Sequence, residues 1–167
     1  MRDGTLEHRG DHQVIRFERR LDHPVERVWR AVSEPGELVK WLAVTELDLS
    51  EGGRVVLTWQ NTDDEGNTAV ARGTVRALDP PRLIEFDTDI HGRLRWELKP
   101  DGDGTLLTFT ADAQLPEEYE LMVLAGWHIH LDHLEDVLDG GEIDWPNWST
   151  KHRPDWDRIR DGYAARA

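Results

Sequence analysis

The stretch Leu115–Leu138, LPEEYELMVLAGWHIHLDHLEDVL, constrains this chain most, because it carries a long and unbroken helical signature. Pro116 suits a first helical turn, where its missing N–H has no partner to lose. Glu117, Glu118 and Glu120 place negative charge at the positive end of the helix dipole. The stripe Tyr119–Met122/Val123–Gly126/Trp127–His130–Leu134–Val137/Leu138 follows the i, i+3, i+4, i+7 spacing of an amphipathic helix. Gly140-Gly141 supplies the stop. At about 1.5 Å per residue the stretch predicts a rod roughly 36 Å long, enough to cover a whole sheet.

The segments before it alternate. Gln13–Leu21 sets Ile15, Phe17, Arg19 and Leu21 on one face and reads as a half-buried strand, with Ile15, Phe17 and Leu21 toward the core. Asp22 then reads as an N-cap for a helix carrying Val25, Val28, Trp29 and Val32. Pro35 opens a second short helix with Leu38, Trp41 and Leu42 on one side, so the pair makes a bent helical unit. From Thr45 the period is two. Strands are predicted at 45–49, 54–60, 68–78, 82–88, 92–99 and 105–111, with turns at Glu51-Gly52-Gly53, 61–67, Asp79-Pro80-Pro81, the DIHG run at 89–92 and the PDGDG run at 100–104. In 68–78 the set Ala69, Ala71, Gly73, Val75 and Ala77 is small. That leaves room above a curved sheet, and Gly73 marks a bend.

Strand, two short helices, an antiparallel meander and one long helix make an α+β layout. The economical packing wraps a curved sheet of about six to seven strands around the long helix. Residues 1–11 read as a flexible tail, 12–140 as the domain, and 141–167 as a tryptophan-rich extension with a short helix at 155–165. That extension is expected either to lie on the body as a strap or to form a homodimer contact.

Composition narrows the function. The 167 residues carry a net charge of −14, which opposes general binding to nucleic acid. There is no cysteine, hence no disulfide frame, thiolate nucleophile or cysteine–zinc site. The polar start and the lack of any membrane-length apolar run predict a cytoplasmic protein. Eight tryptophans at this length read as core, or in part as walls of an apolar site.

Catalytic signatures are weak. Ser33, Ser50 and Ser149 lie in no nucleophile elbow, and neither a P-loop nor a GxGxxG run occurs, so no cofactor is expected. Glu85 and Glu97 are expected to face solvent, which leaves no paired-carboxylate site. His128, His130 and His133 crowd the long helix. His130 and His133 share a side, whereas His128 lies about 200° round from His130, so no metal set is predicted. His128 and Asp132 read as a solvated pair. His130, on the apolar stripe, reads as a hydrogen-bonded core residue or as the group that orients a ligand.

The stretches His23–Leu42 (HPVERVWRAVSEPGELVKWL), Glu51-Gly52-Gly53, Gly73–Phe86 (GTVRALDPPRLIEF) and Gly126–Leu138 (GWHIHLDHLEDVL) together resemble one superfamily. It is the SRPBCC group of START and birch-pollen-allergen-like proteins, and the closest likeness is to the branch related to the C-terminal domain of the activator of heat-shock protein 90 ATPase. The resemblance covers about residues 12–140. It implies a helix-grip fold with an apolar pocket between the sheet and the last helix. Members include lipid and hormone carriers, aromatic polyketide cyclases and chaperone-binding domains. A small hydrophobic or aromatic ligand is therefore the expected partner. A chaperone partner and a cyclase- or hydratase-like reaction are the alternatives. Trp41, Trp59, Phe86, Trp96, Phe109, Met122, Trp127 and His130 are the candidate pocket residues. Each one alone reads as core, and together they read as lining, because a curved sheet over one helix leaves volume to fill.

Overall fold

The alternating segments form one eight-stranded antiparallel sheet in the computed structural model, which describes residues 2–63 and 65–167. The strands are β1 (Thr5–Arg9), β2 (His12–Leu21), β3 (Ala43–Leu47), β4 (Arg54–Trp59), β5 (Val70–Asp79), β6 (Leu83–Thr88), β7 (Gly92–Asp101) and β8 (Gly104–Ala113). Their spatial order is β1-β2-β8-β7-β6-β5-β4-β3. Two short helices, α1 (Val25–Ser33) and α2 (Pro35–Trp41), connect β2 to β3. A 3-10 turn at Glu117–Tyr119 leads into the long helix α3 (Glu120–Leu138), and α4 (Trp148–Lys151) and α5 (Arg153–Arg166) follow.

The register explains the core. Phe17 pairs with Phe109, Phe109 with Trp96, and Trp96 with Ile84, so one row of large side chains crosses four strands. A second row runs Ile15, Ala111, Leu94, Phe86 and Val75. All of these side chains are buried. Trp96 packs 4.9 Å from Phe109 and 5.6 Å from Phe86, and Trp127 of α3 sits 4.6 Å from Phe109, measured between ring centroids. The sheet thus grips α3 through aromatic rings, whose large buried area and offset contacts dominate packing energy. Gly73 stands where a Cβ would lie 1.9 Å from the Asp87 carbonyl oxygen, so the backbones of β5 and β6 approach there as only glycine permits. A register shift follows between Val75 and Ala77.

Several expectations need correction. The segment read as a flexible tail contains β1, which pairs with β2 from Thr5 to Arg9 and adds an edge strand to the expected sheet. Its side chains are largely exposed, so it carries no apolar alternation to read. The long helix is shorter than predicted, 19 residues or about 28 Å, because residues 115–119 are spent on the turn before it. Its stop is as read. Gly140 adopts φ +93°, its N–H bonds the Val137 carbonyl at 3.0 Å, and Gly141 N–H bonds the Asp136 carbonyl at 2.8 Å. That is the double closure of a Schellman motif. Asp22 does not cap α1, which starts after Pro24. Glu85 is buried rather than solvated, under Arg76 at 3.4 Å and Arg95 at 3.5 Å.

The extension lies on the body, the first of its two expected arrangements, and changes how α3 is buried. Residues 142–167 pack α5 along α3, so α3 is buried on two sides and not on a single stripe. Trp148 and Tyr163 are buried. The Tyr163 hydroxyl accepts from the Gly4 N–H at 2.8 Å and shares a 2.7 Å hydrogen bond with His128 Nδ1. His128 is therefore buried, and it lies 3.6 Å from the Asp132 carboxylate. Arg19, on the core side of β2, is buried because it pairs with Asp132 at 2.9 Å and Glu135 at 3.5 Å on α3. Among the described residues no helix is long and apolar enough to cross a membrane.

Candidate functional site

The central space between sheet and α3 is filled by side chains. Trp41, Phe86, Trp96 and Phe109 are each almost wholly inaccessible. Trp41 belongs to the helical unit, where its Nε1 donates to the Ala31 carbonyl at 2.8 Å and ties α2 to α1. These four candidate residues belong to the core cluster that supports the grip and are not among the linings of the two pockets described below.

The other four come together at one end. Trp59, Met122, Trp127 and His130 line a pocket of about 510 Å³. Its walls come from four places. The end of β4 and the loop after it supply Trp59, Asn61, Asp63 and Ala69. The 3-10 turn supplies Tyr119, and α3 supplies Met122, Val123, Gly126, Trp127 and His130. The C-terminal extension supplies Trp148, Arg153 and Trp156, and His91 enters from the turn between β6 and β7. Tyr119 and Met122, read as core-facing, are 47% and 43% exposed and form the rim instead. At Gly126 a Cβ would meet only Trp156 Nε1, at 4.0 Å, so this glycine answers to open space and not to a tight contact.

Local bonds hold the walls. The Asp63 carboxylate accepts the backbone N–H groups of Glu65 (2.9 Å) and Asn67 (2.8 Å), which folds the loop back toward β5 and holds the acid below the usual carboxylate range. Thr88 Oγ1 donates to the Gly92 carbonyl at 2.8 Å and accepts from the His91 N–H at 3.2 Å, fixing the turn that presents His91. Trp59 is the hub of the inner end. Its ring centroid lies 5.1 Å from His91, 5.2 Å from His130 and 5.5 Å from Trp127, all edge-on.

The histidines of this region are kept neutral by burial. His130 is 4% exposed, and burial pushes its pKa down to about 4. Its Nδ1 lies 2.7 Å from the Gly126 carbonyl oxygen. A carbonyl only accepts, so Nδ1 carries the proton and Nε2 presents a lone pair. His91 is held at about 4 by the same desolvation. His133, behind them, is pushed to about 3, and its Nε2 accepts from Trp148 Nε1 at 3.0 Å. Trp145 covers His130 and His133, stacked at 6.1 Å on the first and edge-on at 5.6 Å to the second. Among the described residues, no group of histidine and acidic side chains has the geometry to hold a metal ion.

A second pocket of about 540 Å³ lies between α3 and α5. It is lined mainly by charged side chains, among them Arg2, Asp3, Asp132, Asp136, Asp155 and Arg158. Asp136 is raised above the usual carboxylate range by burial and by the neighbouring Asp132, Glu135 and Asp139.

Sequence reasoning missed His91, Asn61 and the Trp148–Trp156 wall. His91 sits in a turn with no periodicity to flag it. The extension was legible as tryptophan-rich, but which face of α3 it covers depends on long-range packing.

A curved antiparallel sheet closed over a long helix, with a lateral apolar pocket at the helix's first half, defines a helix-grip protein of the SRPBCC type. The chain belongs to the family described as Activator of Hsp90 ATPase homolog 1-like protein, whose model matches residues 22–139. Among solved structures it is similar to CalU16 from Micromonospora echinospora, at 26% identity and TM-score 0.71, covering 98% of this chain and 96% of that one. It is also similar in fold to EF2215 from Enterococcus faecalis, a conserved protein of unknown function. That match has 20% identity, TM-score 0.68 and coverage of 98% and 89%. The AHSA1-like protein from Aeromonas hydrophila matches at 21% identity and TM-score 0.63, with coverage of 75% and 92%. No curated protein matches the chain.

Proposed function

We propose that this protein binds a small hydrophobic or aromatic molecule in the pocket bounded by Trp59, Met122, Gly126, Trp127 and Trp156. The carrying observation is the pocket itself, about 510 Å³, within the size range of small-molecule sites and walled by aromatic and aliphatic side chains. Burial of the ligand against these rings supplies the affinity, roughly 25 cal/mol per Å² of apolar surface removed from water, less the cost of immobilising it. Gly126 supports the reading, because a helix-interior glycine is unfavourable by about 1 kcal/mol and here leaves the pocket floor clear. The family's descriptive name favours a chaperone partner as the second reading. Among the described residues, however, the exposed large apolar side chains are Val44, Leu49, Ile90, Tyr119 and Met122, and the last two rim the same pocket.

Tryptophan emission titrated with naphthalene, 2-methylnaphthalene and medium-chain fatty alcohols tests the proposal. Trp59, Trp127, Trp148 and Trp156 all line the pocket, so an occupant shifts or quenches emission in a saturable way. Loss of that response in Gly126→Leu, with folding retained, assigns it to the pocket. If no ligand in the panel gives saturable quenching, and the protein instead stimulates a chaperone ATPase, the surface reading replaces this one.

A further inference from the structure

We infer that the inner end of this pocket selects a hydroxyl-bearing aromatic ligand, its hydroxyl bridging Trp59 and His130; the inference rests on the ligand-binding reading above. Four side chains of the lining carry a buried polar atom with no hydrogen-bond partner among the described residues. These atoms are Trp59 Nε1, Asn61 Oδ1, His91 Nε2 and His130 Nε2. Buried polar groups are nearly always paired, and leaving one unpaired costs more than a pair gains. Such a cluster in one pocket wall is therefore informative about what the pocket takes.

The chemistry of the cluster is specific. Trp59 Nε1 can only donate. His130 Nε2 can only accept, because Nδ1 holds the proton for the Gly126 carbonyl. The two rings lie 5.2 Å apart between centroids. A hydroxyl is both donor and acceptor on one atom, so it satisfies both groups at once. A carboxylate only accepts, and it would face the lone pairs of His130 Nε2 and Asn61 Oδ1 while losing its hydration. A methyl group satisfies neither. His91, whose ring is 5.1 Å from Trp59, can give or take a bond according to its tautomer and stabilises the same hydroxyl. Arg153, the guanidinium of the lining, stands 4.9 Å over the Trp156 ring and pairs with Asp157 at 3.4 Å. The aromatic body of the ligand fits the edge-on rings of Trp59 and Trp127. Both Trp59 Nε1 and His130 Nε2 are buried, so a hydroxyl can bond them only if a ring of this wall turns to admit it.

Equilibrium dialysis with 2-naphthol, 2-methylnaphthalene and 2-naphthoate tests this on the full chain. The methyl compound matches the naphthol in size and lacks only the hydroxyl. The wild type is expected to prefer 2-naphthol at least tenfold over both others, as sites built to bond a hydroxyl do. His130→Leu and Trp59→Phe are expected to abolish the preference, read within each variant as the ratio of its affinities for 2-naphthol and 2-methylnaphthalene, whatever the change in absolute affinity. Should a variant fail to fold, nitrogen NMR of the wild type decides. 2-Naphthol should move the His130 Nε2 and Trp59 Nε1 resonances, and 2-methylnaphthalene should leave the former in place. Equal wild-type affinity for naphthol and methylnaphthalene overturns the hydroxyl anchor and leaves the pocket standing. Naphthoate binding as tightly as naphthol also overturns it. Failure of all three to bind removes both readings.

Discussion

Acidification should unfold this protein through its buried histidines, and His130 allows the magnitude to be worked out. The group is neutral in the fold, with a pKa of about 4 against about 6.5 in the unfolded chain. Its folded value is the lower one, so the unfolded state binds the extra proton. The associated stability is intact above pH 6.5, falls as pH drops below it, and stops falling near pH 4. Between pH 7.5 and 5.0 the loss integrates to about 2 kcal/mol for this one residue, a sizeable part of the roughly 5–15 kcal/mol that holds a domain together. His91 and His133, pushed to about 4 and about 3, act in the same direction. A chain with net charge −14 also relaxes its self-repulsion on acidification, which acts in the opposite sense. A comparison of variants removes that background. Urea denaturation of wild type and His130→Leu at both pH values should show the wild type losing about 2 kcal/mol more than the variant. The rings facing His130 are Trp59, Trp127, Trp145 and His133, and His91 acts on it electrostatically, with no carboxylate among these groups to offset the effect. Equal losses in the two proteins would refute the account, as would an NMR titration showing His130 protonating near pH 6.5.

Four further outcomes are expected. Gly126→Ala should raise stability by up to about 1 kcal/mol, since the new Cβ meets only Trp156 Nε1 at 4.0 Å. Gly126→Leu, by contrast, should fold with little change in melting temperature yet weaken naphthalene binding tenfold or more, and equal loss of both would return Gly126 to a purely structural role. Trp127→Ala should cost about 3–5 kcal/mol in urea denaturation, because the indole is buried and packed 4.6 Å from Phe109. Gly73→Ala should destabilise by about 2–3 kcal/mol, because the β5 and β6 backbones must part to admit a Cβ that otherwise lies 1.9 Å from the Asp87 oxygen; an unchanged urea midpoint would show that the sheet yields freely there.

Much of the architecture was legible because period is local. The alternation of Ile15, Phe17 and Leu21, the face of Leu38, Trp41 and Leu42, and the glycine stop at Gly140-Gly141 each depend on residues within a few positions of one another. These features determine which elements form and which side of each is apolar, and with the order of elements they led to the helix-grip arrangement. They did not determine where the gap in the grip falls. Trp41, Phe86, Trp96 and Phe109 have the same chemistry as Trp59 and Trp127, yet sheet register and helix position make the first four core and the last two pocket wall. β1 was invisible because an edge strand with exposed side chains is held by backbone bonds to β2, which any sequence can make. The burial of His128 and His133, and with it the neutrality of His133, comes from α4 and α5 folding back along α3. Sequence alone determined the elements and their apolar faces, since those follow from neighbours along the chain. Only the tertiary structure decided which polar atoms lost water without gaining a partner, since that depends on segments as far apart in the chain as Trp59 and Trp156.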